Sequence, residues 1–263
     1  MTRDNKLLLD VGGTFIKCSD GRQVPVDSDG SPEEIVRALR TAVWGEDGEN
    51  TPASVRIAIP GPFDYAAGTF LMRHKFAAVY GENFADLVQM PRKNFRYAHD
   101  VIAMLLGNVT PESGNTALLT LGTGLGFAMF VDGKVLQNTL GSPSVPIYNR
   151  PYRDGILEDY VSKRGIAGRY GKPALSVKAI ASRALGGDKR AQQVFAETGS
   201  ILGEAISSVL SEYGINAVLL GGQISRSWQL FAPALQAQLP SGITVTPIPD
   251  FDNATFLGLS RLK

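Results

Sequence analysis

The chain has 263 residues, 44% of them hydrophobic, and a formal net charge of +1 with acidic and basic residues interspersed. This length allows one large or two modest domains, and the even charge distribution excludes a basic tract for nucleic acid. No apolar stretch reaches the ~18 residues of a membrane helix, the N-terminus is not that of a signal peptide, and the single cysteine, Cys18, favours a reducing compartment. We therefore expect a cytoplasmic protein with no membrane partner.

The predicted elements begin with two strands that are joined by a glycine turn. An apolar run ends at Asp10, the turn contains Gly12, Gly13 and Thr14, and a second β-prone run follows. A carboxylate beside such a turn can hold a hydrated Mg²⁺ that neutralises phosphate oxygens, and the Thr14 hydroxyl is a further donor. The alternative is a turn whose glycines serve geometry only.

The rest of the first half alternates helices and strands. A helix capped by Ser31, a buried strand and a short strand are predicted at residues 31–44, 55–60 and 93–100. Asp100 would then start a helix directly after a strand, where a carboxylate can act as a general base or merely as an N-cap. Residues 72–81 are predicted to form a surface helix, or alternatively to bring His74, Lys75 and Tyr80 to a cleft.

The most informative stretch is Ala117–Val131, in which two apolar runs enclose a turn rich in glycine. Its small residues are Gly122, Thr123, Gly124 and Gly126. Two strands joined by such a turn can present several N–H groups to an anion without any helix. The dinucleotide fingerprint is excluded, since it needs a third glycine where Phe127 stands, and a helix after it. A hairpin with glycines for geometry only is the alternative.

A third glycine turn follows a strand predicted at residues 216–220. It contains Gly221 and Gly222 and leads into a helical stretch, which by itself is typical of an ordinary βα turn. The other elements predicted in the second half are helices at 156–169, 176–184, 188–213 and 226–238, a strand at 243–247 and a closing helix at 252–262.

The order and spacing of the three turns resemble the two phosphate motifs and the adenosine motif of the actin-like sugar kinases. Within that superfamily the chain most resembles the ROK family of repressors, open reading frames and sugar kinases, over nearly its whole length. The likeness extends to RIAIPGPFDYAAGTF, YAHDVIAMLLGN, GILEDYVSKRGI and DNATFLGLSRL. It implies an α/β, two-lobed actin-like ATPase (ribonuclease H-like) fold with an interlobe cleft. The N-terminal lobe would comprise residues 1–113 and the helix 252–263, and the C-terminal lobe residues 114–251.

This resemblance also implies a glucokinase-like activity, in which the γ-phosphoryl group of ATP is transferred to a hydroxyl of a hexose or hexose derivative. Asp100 would be the catalytic base, and Asp10 would bind Mg²⁺ through water. Contacts to the nucleotide and its phosphates would come from Asp10, Gly12, Gly13, Thr14, Gly122, Thr123, Gly124, Gly126, Gly221 and Gly222. Contacts to the sugar would come from Gly61, His99 and Glu158. Members of the family often form homodimers, although no sequence pattern marks an interface here.

Two of these sugar contacts have a simpler interpretation. His99 is equally typical of a partly exposed histidine at a strand end, and Glu158 of an acid in the first turn of a helix. The chain also departs from the family at the sugar site, where His99 replaces the usual Asn, and Thr139 and Ser142 replace the Glu and His of the E-x-G-H motif.

The cysteine-rich zinc loop of the family is missing as well, so no structural zinc is expected. Either the substrate differs from glucose or other residues contribute to its binding. The alternative function is a sugar and nucleotide sensor or regulator without catalysis. Such a regulator would lack its own DNA-binding module, because the chain starts at the first strand.

Overall fold

The computed structural model describes residues 5–262. They divide into two compact units. The first comprises the chain up to Asn108, the segment Gln137–Pro143 and the chain from Asn253 on, and the second comprises Val109–Leu136 and Ser144–Asp252. Each unit has a five-stranded sheet and a hydrophobic core of its own. The predicted α/β class is therefore confirmed.

The first unit is built on a mixed sheet. The strands of this unit are β1 (Lys6–Val11), β2 (Phe15–Cys18), β3 (Gln23–Pro25), β4 (Ser54–Ile59), β5 (Phe63–Asp64), β6 (Thr69–Phe70) and β7 (Phe95–His99). The sheet has the order β3-β2-β1-β4-β7, in which the first three strands are antiparallel and β1, β4 and β7 are parallel. The carboxyl ends of these three parallel strands therefore meet at one edge.

Three helices of the first unit lie between these strands or directly after them. They are α1 (Pro32–Trp44), α2 (Phe84–Leu87) and α3 (Asp100–Asn108). The predicted cap of α1 is confirmed: the Ser31 hydroxyl accepts from the Glu34 N–H, and the Glu34 carboxylate accepts from the Ser31 N–H. Such a reciprocal pair satisfies two of the free N–H groups at a helix start.

The second unit repeats the same sheet. Its strands are β8 (Thr116–Leu121), β9 (Leu125–Val131), β10 (Lys134–Val135), β11 (Pro151–Tyr152), β12 (Gly155–Ile156), β13 (Ala217–Gly221) and β14 (Thr244–Pro247). The order β10-β9-β8-β13-β14 has the same directions as in the first unit. A glycine turn joins β1 to β2 in the first sheet and β8 to β9 in the second, which confirms the two predicted hairpins. The repeated arrangement points to an internal duplication.

The helices of the second unit pack on this sheet. They are α4 (Leu157–Val161), α5 (Lys163–Tyr170), α6 (Val177–Leu185), α7 (Lys189–Glu212) and α8 (Ala232–Gln236), and α9 (Ala254–Arg261) returns to the first unit. Within residues 5–262, no helix combines the length and the apolar character that crossing a membrane requires.

Three predicted helices are wrong in detail. The helix expected at 156–169 breaks at Ser162, which has extended backbone angles. The one at 226–238 is a 3-10 segment, Gln223–Leu230, followed by α8, because Pro233 cannot donate the hydrogen bond that a continuous helix requires there. Residues 72–81 contain only a 3-10 turn, Ala77–Val79, after a left-handed residue, Phe76.

Helix α9 packs against α3 through two glycines. A side chain at Gly107 would overlap the carbonyl oxygen of Ala254, and one at Gly258 would overlap that of Ala103. The backbones of the two helices therefore approach closely. This packing holds helix α3, and with it Asp100 at the start of that helix, in place.

We expect Gly258→Ala to destabilise the protein by about 3 kcal/mol, because the added methyl group forces apart two packed backbones. Urea unfolding measures this loss. The matched control is Gly168→Ala in α5, where a methyl group meets open space, and which should stabilise the protein by roughly 0.5–1 kcal/mol. A Gly258→Ala variant as stable as the parent would show that the helices can separate without cost.

Candidate active site

The carboxyl ends of β1, β4 and β7 bring several predicted site residues to one edge of the first sheet. Asp10 pairs with Ala58 of β4, and Ile59 of β4 pairs with His99 of β7. Gly61 follows β4 and Asp100 follows β7. In open α/β sheets, ligands bind at this edge. The first unit therefore gathers Asp10, Gly61, His99 and Asp100 in one place.

Asp100 is oriented by two donors. The Nδ1 atom of His99 lies 2.7 Å from Asp100 Oδ1, and the Val101 N–H donates to the same oxygen over 2.8 Å. Since Val101 N is 3.3 Å from Nδ1, the shorter contact favours an imidazole that donates from Nδ1 to the carboxylate. Asp100 is thus not the N-cap considered above, because an N-cap accepts from an amide two or three residues further on.

The electrostatic surroundings keep Asp100 ionised. Burial pushes its pKa upward, but the charge and hydrogen bond of His99, the Val101 N–H and the charge of Lys75 outweigh that effect and hold the pKa of Asp100 below its usual range. The side chain still has 40% of its surface exposed. A ligand can therefore reach a carboxylate that is ready to accept a proton.

A small polar cluster lies beside this carboxylate. A methyl group built on Gly61 would lie 3.4 Å from each of His99 Cδ2, Ser142 Oγ and the Tyr65 hydroxyl oxygen. The Tyr65 hydroxyl donates to the Ile59 carbonyl over 2.9 Å. Ser142 is therefore next to His99, and the absence of a side chain at Gly61 leaves room between them.

Tyr65 holds the segment that carries Ser142. Its backbone N–H donates to the Leu140 carbonyl over 3.0 Å, and its ring packs on Gly141, whose φ of +88° suits glycine. Burial and the charge of Asp100 raise the pKa of Tyr65, against a smaller opposing effect of Ser142. Tyr65 therefore remains a neutral phenol.

Asp10 is the second carboxylate of this edge. Burial and the charge of Asp100 raise the pKa of Asp10 to about 6, while Lys17, its partner across the hairpin, lowers it. Among the described residues, no group of three or more His, Cys, Asp or Glu is arranged to hold a metal ion. Mg²⁺ typically takes one or two carboxylates together with water and phosphate oxygens. The carboxylates of Asp10 and Asp100 repel each other, and a bound Mg²⁺ would relieve that repulsion.

The first glycine turn is shaped by its own packing. A Cβ at Gly12 would lie 2.9 Å from the Phe15 carbonyl oxygen, and one at Gly13 would lie 3.2 Å from Ser28 Oγ. Neither glycine has a positive φ. The requirement for glycine at these two positions therefore comes from the crowding by neighbouring atoms and not from the backbone conformation. The side chain of Thr14 is exposed at the tip.

The second glycine turn, in the other unit, contains one glycine that packing does not explain. The Gly122 N–H donates to the Gly124 carbonyl over 3.0 Å, and the Gly122 carbonyl accepts from the Lys163 N–H. A Cβ at Gly122 would meet nothing within 4 Å, and its φ is not positive. An open backbone of this kind suits the close approach of a ligand. Thr123 beside it is exposed, whereas Gly126 lies inside β9 rather than in the turn.

Glu158 supports this turn. Its Oε2 atom accepts from the Leu125 N–H over 2.9 Å, and a Cβ at Gly124 would lie 2.8 Å from the same atom. Any side chain at position 124 would therefore crowd the Glu158 carboxylate. The sequence did not reveal this contact between the turn and Glu158. The side chain of Glu158 is 20% exposed, and its contact with a sugar remains a prediction.

The third turn requires glycine for two reasons. Gly222 has a φ of +80°, and a side chain there would overlap the Leu121 carbonyl at the end of β8. Gly221 pairs with Thr120 of β8, and its carbonyl accepts from the buried Ser225 hydroxyl over 2.6 Å. The second unit thus gathers Gly122, Gly124, Gly221 and Gly222 at the carboxyl ends of its own parallel strands.

Known structures share this fold. The chain is similar to the ROK family glucokinase from Streptomyces griseus in complex with glucose and AMPPNP, with a TM-score of 0.75, 20% identity and 97% of each chain covered. It is similar to a glucokinase from Parabacteroides distasonis, with a TM-score of 0.76, 20% identity and 100% of each chain covered. It is also similar to a ROK family transcriptional regulator homologous to the E. coli MLC protein, with a TM-score of 0.75, 19% identity and coverage of 97% of this chain and 77% of the regulator.

No curated protein matches the sequence. At these identities the structures establish the actin-like ATPase fold alone, whereas the sequence itself matches the ROK family model over residues 151–248. The chain is therefore similar to the ROK family in sequence over residues 151–248 and to ROK proteins in fold over nearly its whole length.

Proposed function

We propose that the protein is an ATP-dependent kinase that transfers the γ-phosphoryl group of ATP to a hydroxyl of a hexose or hexose derivative. The observation that carries the proposal is the ionised, doubly oriented carboxylate of Asp100 beside the polar cluster of Gly61, His99 and Ser142. The fold it shares with a glucokinase that binds AMPPNP supports ATP as the donor. We place the activity in the cytoplasm, where Cys18 stays reduced.

In this proposal Asp100 is the general base. It accepts the proton of the acceptor hydroxyl as the oxygen of that hydroxyl bonds to the γ-phosphorus, and the electron pair of the broken P–O bond stays on ADP. His99 holds the carboxylate through Nδ1, so that one carboxylate oxygen is fixed before the substrate arrives. Such orientation is what phosphoryl transfer mainly requires of a protein.

The glycine turns would bind the phosphates. The backbone N–H groups of Gly13 and Gly124 can donate to phosphate oxygens, with the exposed Thr14 and Thr123 hydroxyls as further donors. Gly12 and Gly122, whose N–H groups already donate to the Phe15 and Gly124 carbonyls, would let the phosphates approach the backbone closely. Asp10 would hold Mg²⁺ through water, and this ion, when bound, neutralises phosphate charge. Gly221 and Gly222 would lie against the nucleoside.

The sugar would lie against Gly61, His99 and Ser142, with Glu158 as a further ligand. A serine in place of the family's histidine supplies a shorter hydrogen-bonding group, and the neighbouring Tyr65 hydroxyl is already used by the Ile59 carbonyl. A pocket with fewer fixed partners binds a given hexose more weakly, by about 0.5–1.5 kcal/mol for each lost hydrogen bond. The acceptor therefore differs from glucose, or other residues contribute to its binding.

Incubation with Mg-ATP and a panel of hexoses and N-acetylhexosamines, followed by measurement of ADP, tests the proposal. We expect ADP release above the sugar-free blank with at least one sugar of the panel. The second candidate is a sensor without catalysis, which the replacement of Glu and His by Thr139 and Ser142 and the similarity to a transcriptional regulator favour. Nucleotide binding without ADP release across the panel would support it.

A further inference from the structure

Lys75 lies along the first glycine turn. Its Cε and Cδ atoms are 3.7 and 3.8 Å from the position that a Cβ on Gly13 would occupy. The side chain is partly buried, and its charge acts on the Asp100 carboxylate. Among the described residues, its ammonium group has no carboxylate within ion-pair distance. A cation without an ion-pair partner therefore lies beside the turn, close enough for its charge to act on Asp100.

The backbone that carries Lys75 is fixed by a strained residue. Phe76 is fully buried and has a φ of +52°, a conformation that costs a bulky residue about 1–3 kcal/mol and is concentrated at functional sites. Its N–H donates to the Ser28 carbonyl over 2.6 Å, and the Ser28 N–H donates to the Gly13 carbonyl over 3.0 Å. These hydrogen bonds link the backbone next to Lys75 to the glycine turn through Ser28.

The carboxylates of this edge have other partners. Lys17 pairs with Asp10 across the hairpin, and His99 contacts Asp100 over 2.7 Å. Lys75 is therefore not needed to form an ion pair within the protein. An ammonium group next to a turn that is proposed to bind phosphate is suited to a phosphate that arrives with a ligand.

We infer that Lys75 is a catalytic residue that contacts the phosphoryl group during its transfer from ATP, bound at the Gly12–Gly13 turn, to the hydroxyl held by Asp100. The inference rests on the proposed function and adds a residue to it. The acceptor oxygen forms its bond to phosphorus, the bond to the leaving oxygen of ADP breaks, and the proton passes to Asp100. Lys75 changes no bond; it neutralises the negative charge of the phosphoryl oxygens, which is the main demand of this reaction.

Replacement of Lys75 by methionine tests this role, because Lys75→Met keeps the apolar stem and removes the charge. We expect kcat to fall by about 10²–10³-fold, with the KM for ATP nearly unchanged. Lys75→Arg should restore part of the rate. The matched control is Lys93→Met, an exposed lysine before β7, at the opposite end of that strand from Asp100, which should behave as the parent does.

A binding experiment separates catalysis from structure. Mg-ADP with aluminium fluoride mimics the transferring phosphoryl group, so Lys75→Met should bind this complex far more weakly than the parent while binding Mg-ADP alone equally well. An unchanged kcat, or an equal loss of affinity for both ligands, would overturn the inference while the parent's activity leaves the proposed function standing. If the parent releases no ADP with any sugar, the proposed function fails, and the role of Lys75 fails with it.

Discussion

Asp100→Asn is expected to lower kcat by about 10²–10⁴-fold while leaving the affinity for ATP close to that of the parent protein. The amide has nearly the same shape as the carboxylate, and its oxygen can still accept from the Val101 N–H and from His99. It cannot take a proton from the acceptor hydroxyl. The loss should therefore fall on the chemical step, and steady-state kinetics with an ADP-coupled assay measures it.

The control for this variant is Asp86→Asn. Asp86 is an exposed aspartate of the same unit whose ion pair with Arg92 lies on the surface, where such pairs contribute about 0–1 kcal/mol. This control should keep full activity and lose little stability. If Asp100→Asn phosphorylates sugars at the parental rate, Asp100 is not the base, and the oriented carboxylate has another purpose.

Much of the candidate site follows from sequence because strand ends and glycines are local signals. Asp10 and Asp100 both follow apolar, β-prone runs. When such runs form parallel strands of one sheet, their carboxyl ends come together without further information. The two hairpins were predictable for a similar reason, since two apolar, β-prone runs that are separated by a short glycine turn usually form a β-hairpin.

What the sequence could not supply are contacts between distant segments. Glu158 reaches Leu125, 33 positions away along the chain, and this contact, rather than a phosphate, explains why Gly124 is small. Tyr65 fixes the loop of Ser142 through Leu140. Neither link has a periodicity or a motif, because each depends on how strands and loops are placed in three dimensions.

The prediction for residues 72–81 failed for a backbone reason. The segment has the composition of a helix, but Phe76 adopts a left-handed conformation, which is rare for an aromatic residue and has no sequence signature. Phe76 directly follows Lys75, the residue that we propose to be catalytic, and strained backbone is concentrated at functional sites.

Asp10→Asn should have two opposite effects, a loss of activity and a gain of stability. Burial and the charge of Asp100 raise the pKa of Asp10 from 3.8 to about 6. The folded protein therefore binds this proton more tightly than the unfolded chain does. Its stability falls as the pH rises from about 4 to about 6, and the cost persists above that range. A neutral amide avoids a cost of up to about 3 kcal/mol.

Thermal unfolding in the presence of EDTA measures this effect as a function of pH. Asp10→Asn and the parent should melt together near pH 4, where Asp10 is protonated, and the variant should melt higher from about pH 7 upward. The exposed Asp47 provides the control, since Asp47→Asn should follow the parent at every pH. In buffer without EDTA, Mg-ATP should raise the melting temperature of the parent much more than that of Asp10→Asn, because ligand binding stabilises the folded state that binds it. Equal melting temperatures of Asp10→Asn and the parent across the whole pH range would mean that Asp10 is not strained by its surroundings, and the argument for an ion between the two carboxylates would lose its basis.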